Sequence, residues 1–105
     1  MEKILNMKVN AIISNVSVVR VAISTFISEI EGITIDDIMD VKTSISEAVT
    51  NAIEHGYENN KDGIVEVECK INDYDIFALV KDFGSGIEDI SQAITPTYTS
   101  KPELV

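Results

Sequence analysis

The stretch from Val65 to Val80 constrains the chain most. Val65, Val67, Cys69 and Ile71 alternate with Glu66, Glu68 and Lys70, the period of a strand with one wet face and one buried face. Asn72-Asp73 supplies turn chemistry. The unbroken apolar run Ile76–Val80 then reads as a more buried strand, the second arm of a hairpin.

The remaining patterns supply what could cover that hairpin. Leu5, Met7, Val9 and Ala11 share one face of a first strand over residues 3–11, with Asn6, Lys8 and Asn10 on the other. Asn15 is placed to cap a helix whose apolar positions are Val19, Ile23, Phe26, Ile27 and Ile30, with Gly32 as its stop. Thr34 and Asp37 form a capping arrangement for a second helix. That helix runs to about Glu54 or His55 on the stripe Ile38, Val41, Ile45, Ala48, Val49 and Ala52, and Gly56 ends it. Tyr57–Gly63 is a polar loop. Beyond Gly86 the chain is punctuated by Ser, Thr and Pro, with one short helical turn expected near Ile90–Ala93. The order strand, helix, helix, strand, strand predicts an α+β two-layer sandwich, with helices on one face of a largely antiparallel sheet.

Composition narrows the function classes. The 105 residues make room for one domain. Eighteen acids against eight bases give a net charge of −10. A body this negative is repelled by nucleic-acid backbones and anionic lipid, whereas a basic protein partner or a ligand carried in with a metal ion fits. No apolar run approaches the ~20 residues of a membrane span, and Met1-Glu2-Lys3 opens no signal peptide. Cys69 is the sole cysteine, so an internal disulfide and a cysteine-built zinc site are excluded and a reducing cytoplasm fits. The five acids of Glu29–Asp40 read either as a solvated helix–helix corner or as a site for a basic partner.

Two features carry possible chemistry. On the second helix Ser44, Glu47, Asn51 and His55 fall within roughly 80° of one another at 100° per residue, along the border of the apolar face. Asn51 offers a neutral oxygen suited to Mg²⁺, and Glu47, one turn earlier, can accept a proton. Taken alone, a Glu and an Asn one turn apart are ordinary surface residues. The second feature is Asp82-Phe83-Gly84-Ser85-Gly86, an acid at the end of a buried strand followed by alternating glycines. Glycine permits close backbone approach, and the carboxylate can accept from an exocyclic amine such as that of adenine. Taken alone this is a turn after a strand. The phosphate-binding G-x-x-x-x-G-K-[ST] loop is absent. The Asp82-Phe83-Gly84 triplet lacks the other parts of a eukaryotic-type kinase.

The run Ser46-Glu47-Ala48-Val49-Thr50-Asn51-Ala52-Ile53-Glu54-His55-Gly56-Tyr57-Glu58-Asn59-Asn60 resembles the N box of the GHKL ATPase/kinase superfamily, and within it the bacterial anti-sigma factor serine kinases. Asp82-Phe83-Gly84-Ser85-Gly86-Ile87 resembles the first glycine box. Pro96-Thr97-Tyr98-Thr99-Ser100-Lys101-Pro102-Glu103-Leu104 resembles the start of the ATP lid, which begins at about residue 94. The resemblance runs from about residue 34 to the end and is weaker before it. It implies a Bergerat fold with an ATP or ADP site between helices and sheet. Asn51 would hold Mg²⁺ at the phosphates, Glu47 would activate the attacking hydroxyl and Asp82 would bind the adenine amine. Gly84 and Gly86 would admit the nucleotide. Thr99, Ser100 and Lys101 would belong to the lid, with Lys101 reaching a phosphate.

The same resemblance implies a cytoplasmic, typically homodimeric protein that sequesters a sporulation sigma factor and phosphorylates a serine of an anti-anti-sigma factor. Arg20 stands where a partner-contact arginine is expected; an exposed solubilising arginine is the other reading. His55 is read as a helix C-terminal cation, and Cys69 as a small inert apolar residue. The family continues past the lid with a second glycine box, which this chain lacks. Weakened ATP affinity is therefore expected, and an apolar face left uncovered. Two alternatives stand beside the kinase: a module that binds sigma factor or antagonist without turnover, and the ATPase domain of another GHKL member.

Overall fold

The computed structural model describes residues 2–56, 62–73 and 75–82, and the backbone of 88–94. In chain order these form β1 (Glu2–Asn10), α1 (Ser14–Ile27), α2 (Ile35–Asn51), a π-helical turn (Ala52–Gly56), β2 (Ile64–Asn72), β3 (Asp75–Asp82) and β4 (Glu88–Ile94). The strands lie in the order β1-β2-β3-β4, every pair antiparallel. The α+β two-layer reading therefore holds.

The hairpin is built as its alternation requires. Val65, Val67, Cys69 and Ile71 are buried, as are Ile76, Ala78 and Val80 across from them. Asn72 pairs with Asp75, which leaves a two-residue connection. Asp73 enters it with φ 56°, the left-handed conformation that tight hairpin turns demand and that Asp tolerates better than most residues. The helices close the same face of the sheet: Val19, Ile23 and Ile27 from α1 and Val41, Ile45 and Val49 from α2 are all fully buried. Burying each such side chain stabilises the fold by about 1.5–3 kcal/mol.

The start of α2 shows how locally the sequence acts. Asp37 N–H donates to Thr34 Oγ1 at 3.1 Å, and Thr34 N–H donates to Asp37 Oδ2 at 3.3 Å. Two otherwise orphaned donors are thus satisfied in a capping box. Asp36 adds a second acid to that first turn, where the helix dipole favours negative charge. Glu29 pairs with Lys3, and Lys3 also sits 5.8 Å from the Phe26 ring centroid. Three of the five acids in the corner between the helices therefore have structural work, in keeping with the corner reading.

Three local expectations are corrected. Asn15 does not cap α1: the position before the helix is Ile13, with no side-chain cap, and the Asn15 amide donates back to the Asn10 carbonyl at 3.0 Å. The first turn instead tightens through Asn15 N–H to Ile12 O and Val16 N–H to Ile13 O. The second helix does end at Gly56 as expected, but it is α-helical only to Asn51, and its last five residues, Ala52–Gly56, are π-helical. The residues near Ile90–Ala93 are strand, because β3 offers its free edge and Val80 pairs with Ile90 and Ala78 with Gln92. Among the described residues no helix is long and apolar enough to cross a membrane.

Candidate functional site

The helix layer places Glu47 and Asn51 one turn apart on α2, both exposed beside the buried row Ile45, Ala48 and Val49. At Ala52 the backbone N–H is shared between the carbonyls of Ala48 and Val49, and the helix widens into the π turn. Such turns occur often at functional sites. The widening breaks the 100° stepping, so Ser44, Glu47 and Asn51 keep the expected stripe while His55, also exposed, stands on the π turn beyond it.

The sheet places Asp82. Ile76, Ala78, Val80 and Asp82 alternate along β3 as its core-facing row, so the carboxyl-bearing residue continues the apolar row at the end of the strand. It is 2% exposed. Both α2 and the π turn pack on β3. The N-box segment and the acid that opens the glycine box therefore belong to one contiguous helix-on-sheet packing, although 30 residues separate Asn51 from Asp82.

The other side of Glu47 is a cavity of about 500 Å³, lined by Arg20 of α1 and by Met39, Lys42, Thr43, Ser46 and Glu47 of α2. Sequence reasoning had named Arg20 and Glu47 separately; the packing of α1 on α2 puts them in one cavity. Arg20 donates to Ser17 Oγ on its own helix at 3.4 Å. The Ser46 hydroxyl is wholly inaccessible and has no hydrogen-bond partner. Met39, Lys42, Thr43 and Ser46 were missed. Their i, i+4 pairs, Lys42 with Ser46 and Thr43 with Glu47, were readable as helix neighbours, but only the position of α1 shows that they face Arg20.

The residues fit a magnesium–nucleotide ligand in chemistry. Among the described residues no group of three or more His, Cys, Asp or Glu is arranged to hold a metal. Mg²⁺ needs no such cage, since it takes one or two protein oxygens and completes its shell with phosphate and water. An exposed amide oxygen at Asn51 and a buried acceptor at Asp82 match the two ends of such a ligand. Gly84, Gly86, Thr99, Ser100 and Lys101 lie outside the described residues.

A model of the histidine kinase-like ATPase domain matches residues 9–103. The anti-sigma F factor of Clostridium novyi (strain NT) is 53% identical over 90 residues, which cover 86% of this chain and 62% of that protein. The anti-sigma F factor of Shouchella clausii (strain KSM-K16) is 42% identical over 100 residues, 95% of this chain and 68% of that protein. That of Bacillus velezensis (strain DSM 23117 / BGSC 10A6 / LMG 26770 / FZB42) is 39% identical over 104 residues, 99% of this chain and 70% of that protein.

The chain belongs to the anti-sigma F factor family, within the histidine kinase-like ATPases. It spans 62% of the length of the first of these relatives. An anti-sigma F factor with a kinase-like ATPase domain calls for a nucleotide site, and the N-box helix, its π turn and the buried Asp82 lie in one packed unit.

Proposed function

We propose that this chain is part of an anti-sigma factor that binds and inhibits a sporulation sigma factor in the cytoplasm. Using Mg·ATP, the same protein phosphorylates a serine of its anti-anti-sigma antagonist, and it acts as a homodimer. One observation carries the reading: Glu47, the candidate base, shares a cavity with Arg20, the candidate partner contact, while Asn51 lies one turn beyond Glu47 on the same helix. A base between a partner-facing cavity and a phosphate-facing side chain is the arrangement that phosphoryl transfer to a docked protein needs.

In this reading Asp82 accepts a hydrogen bond from the adenine amine, and burial restricts that acceptor to a ligand that displaces water. Asn51 would supply an oxygen to Mg²⁺, which when bound would neutralise charge on the phosphates. Glu47 accepts the serine proton. The serine oxygen forms its bond to the terminal phosphorus as the bond to the ADP oxygen breaks. Little covalent chemistry falls to the protein, and its contribution is positioning and charge. The motif resemblance assigns Gly84 and Gly86 to the nucleotide cradle and Thr99, Ser100 and Lys101 to the lid.

The test is phosphoryl transfer from Mg·ATP to the purified antagonist. Glu47→Gln keeps the size of the side chain and removes its basicity. Transfer should fall about 10²- to 10⁴-fold, the usual contribution of a general base, with ADP affinity unchanged by calorimetry. Transfer at the wild-type rate would remove Glu47 from the base role. Sigma-factor binding without any transfer by the unsubstituted protein would leave a sequestering module.

A further inference from the structure

Two cations of this acidic chain, Arg20 and Lys42, line the same cavity from two different helices. Among the described residues the ion pairs join Lys3 to Glu29 and Lys70 to Glu68 and include neither Arg20 nor Lys42, although Glu47 lines that cavity too. One turn beyond Lys42 on the same helix face, the Ser46 hydroxyl is buried at the cavity and has no partner. With two cations and a single acid, Glu47, among its lining residues, the cavity has a local positive excess in a body of net charge −10, and that excess favours an anionic group from outside.

The anion is not the nucleotide. Lys42 precedes Glu47 and Asn51 follows it, and residues 42 and 51 are separated by about 13 Å along the helix at 1.5 Å per residue. Lys42 thus lies on one side of Glu47 along α2, at the cavity that Arg20 lines, and Asn51 on the other, so an anion held between Lys42 and Arg20 is a different group from a phosphate held at Asn51. A nucleic-acid backbone is repelled by the net charge of −10. What remains is a side chain carried in by the protein that docks in the cavity.

We propose that Lys42 is a positioning residue that pairs with a carboxylate of the docked protein, an Asp or Glu close to the acceptor serine, and so aligns that serine with Glu47. The proposal rests on the kinase reading and names the chemistry of the segment that the cavity receives. It assigns to Lys42 a role in acceptor binding and none in nucleotide binding.

Two measurements decide it. In the first, phosphoryl transfer to the antagonist is followed for the wild type, Lys42→Gln and Lys42→Arg. With Lys42→Gln the KM for the antagonist should rise about five- to tenfold, the cost of losing one partly desolvated charge pair, with kcat and the KM for ATP within about twofold. Lys42→Arg should restore the KM. At about 0.5 M salt, where screening acts within about 4 Å, the wild-type and Lys42→Gln values should converge. An unchanged KM, an equal loss in kcat and ATP affinity, or no rescue by Lys42→Arg overturns the proposal.

The second measurement does not depend on catalysis. A fluorescent serine peptide flanked by aspartates is titrated against the protein beside its asparagine-flanked counterpart. The acidic peptide should bind more tightly, and Lys42→Gln should erase the preference. Equal binding of both peptides, or of neither, overturns the proposal. If transfer is absent but the charge preference depends on Lys42, the kinase reading falls and the acidic-partner assignment stands.

Discussion

At the scale of single residues, burial decides what a side chain can do. Cys69 pairs with Leu5 on one side and Ala78 on the other and is fully buried. Loss of solvation pushes its thiol up from 9.0 to about 11, because the low-dielectric interior disfavours the thiolate. The folded state therefore holds its proton more tightly than the unfolded chain. That contribution to stability is complete below pH 9 and is lost as pH rises from 9 towards 11. A thiol reagent at pH 8 should label Cys69 only at the rate at which the fold opens, and fast labelling of the native protein would show the site to be open. Asp82, 2% exposed at the end of β3, is the buried acid that the proposed function assigns to the adenine amine. Asp82→Asn keeps the shape and removes an acceptor. Mg·ADP binding by calorimetry should weaken at least about tenfold, the value of one charged hydrogen bond. Unchanged affinity would remove Asp82 from the adenine site.

At the scale of elements, α2 is the piece on which the site depends. Its capping box fixes where the helix begins, and its buried stripe fixes which side faces the sheet. The stepping from Thr34 then sets the direction of Glu47 and Asn51. Thr34→Ala removes one cap and should cost about 1 kcal/mol. Ile45→Ala empties a fully buried position and should cost about 2–5 kcal/mol. Urea titrations followed by far-UV circular dichroism check both, and a Thr34→Ala loss as large as that of Ile45→Ala would mean that the cap does more than close the helix. The π turn after Asn51 is a different kind of feature: it lets the helix stop without a side-chain cap and turns Glu54 and His55 away from the direction that α-helical stepping sets.

At the scale of the whole molecule, the proposed site is a relation between layers. The helices bring Arg20, Glu47 and Asn51, and the sheet brings Asp82. A ligand touching both layers stabilises the folded form by mass action, by about 2.7 kcal/mol at a hundred times its dissociation constant. For a domain of this size that corresponds to a rise in Tm of roughly 10 °C or more. Scanning fluorimetry with Mg·ADP should show such a rise for the wild type and a much smaller one for Asn51→Ala. Equal shifts would place the nucleotide away from α2.

Much of this protein was determined by sequence alone, because the signals are local or periodic. The alternation of Val65 to Ile71 fixed a strand and its buried face, Thr34 with Asp37 fixed a helix start, and the stripe from Ile38 to Ala52 fixed the side that α2 buries. The family resemblance rests on the whole string from Ser46 to Asn60 together with Asp82 to Ile87, since the one-turn spacing of Glu47 and Asn51 is by itself ordinary. Where local signals compete, the sequence misled. Asn15 looks like a cap but is drawn to the Asn10 carbonyl, and residues 90–93 look too polar and broken for a strand, yet they pair with β3. Only tertiary structure decided which residues share the cavity. Nothing in the spacing of Arg20 and Lys42, or of Arg20 and Glu47, ties them together. They meet because α1 and α2 bury their apolar stripes against one sheet and against each other, which presses the flanking polar rows into a common wall. Hydrophobic burial is indifferent to those polar residues, so their meeting is a consequence of packing geometry that no local pattern encodes.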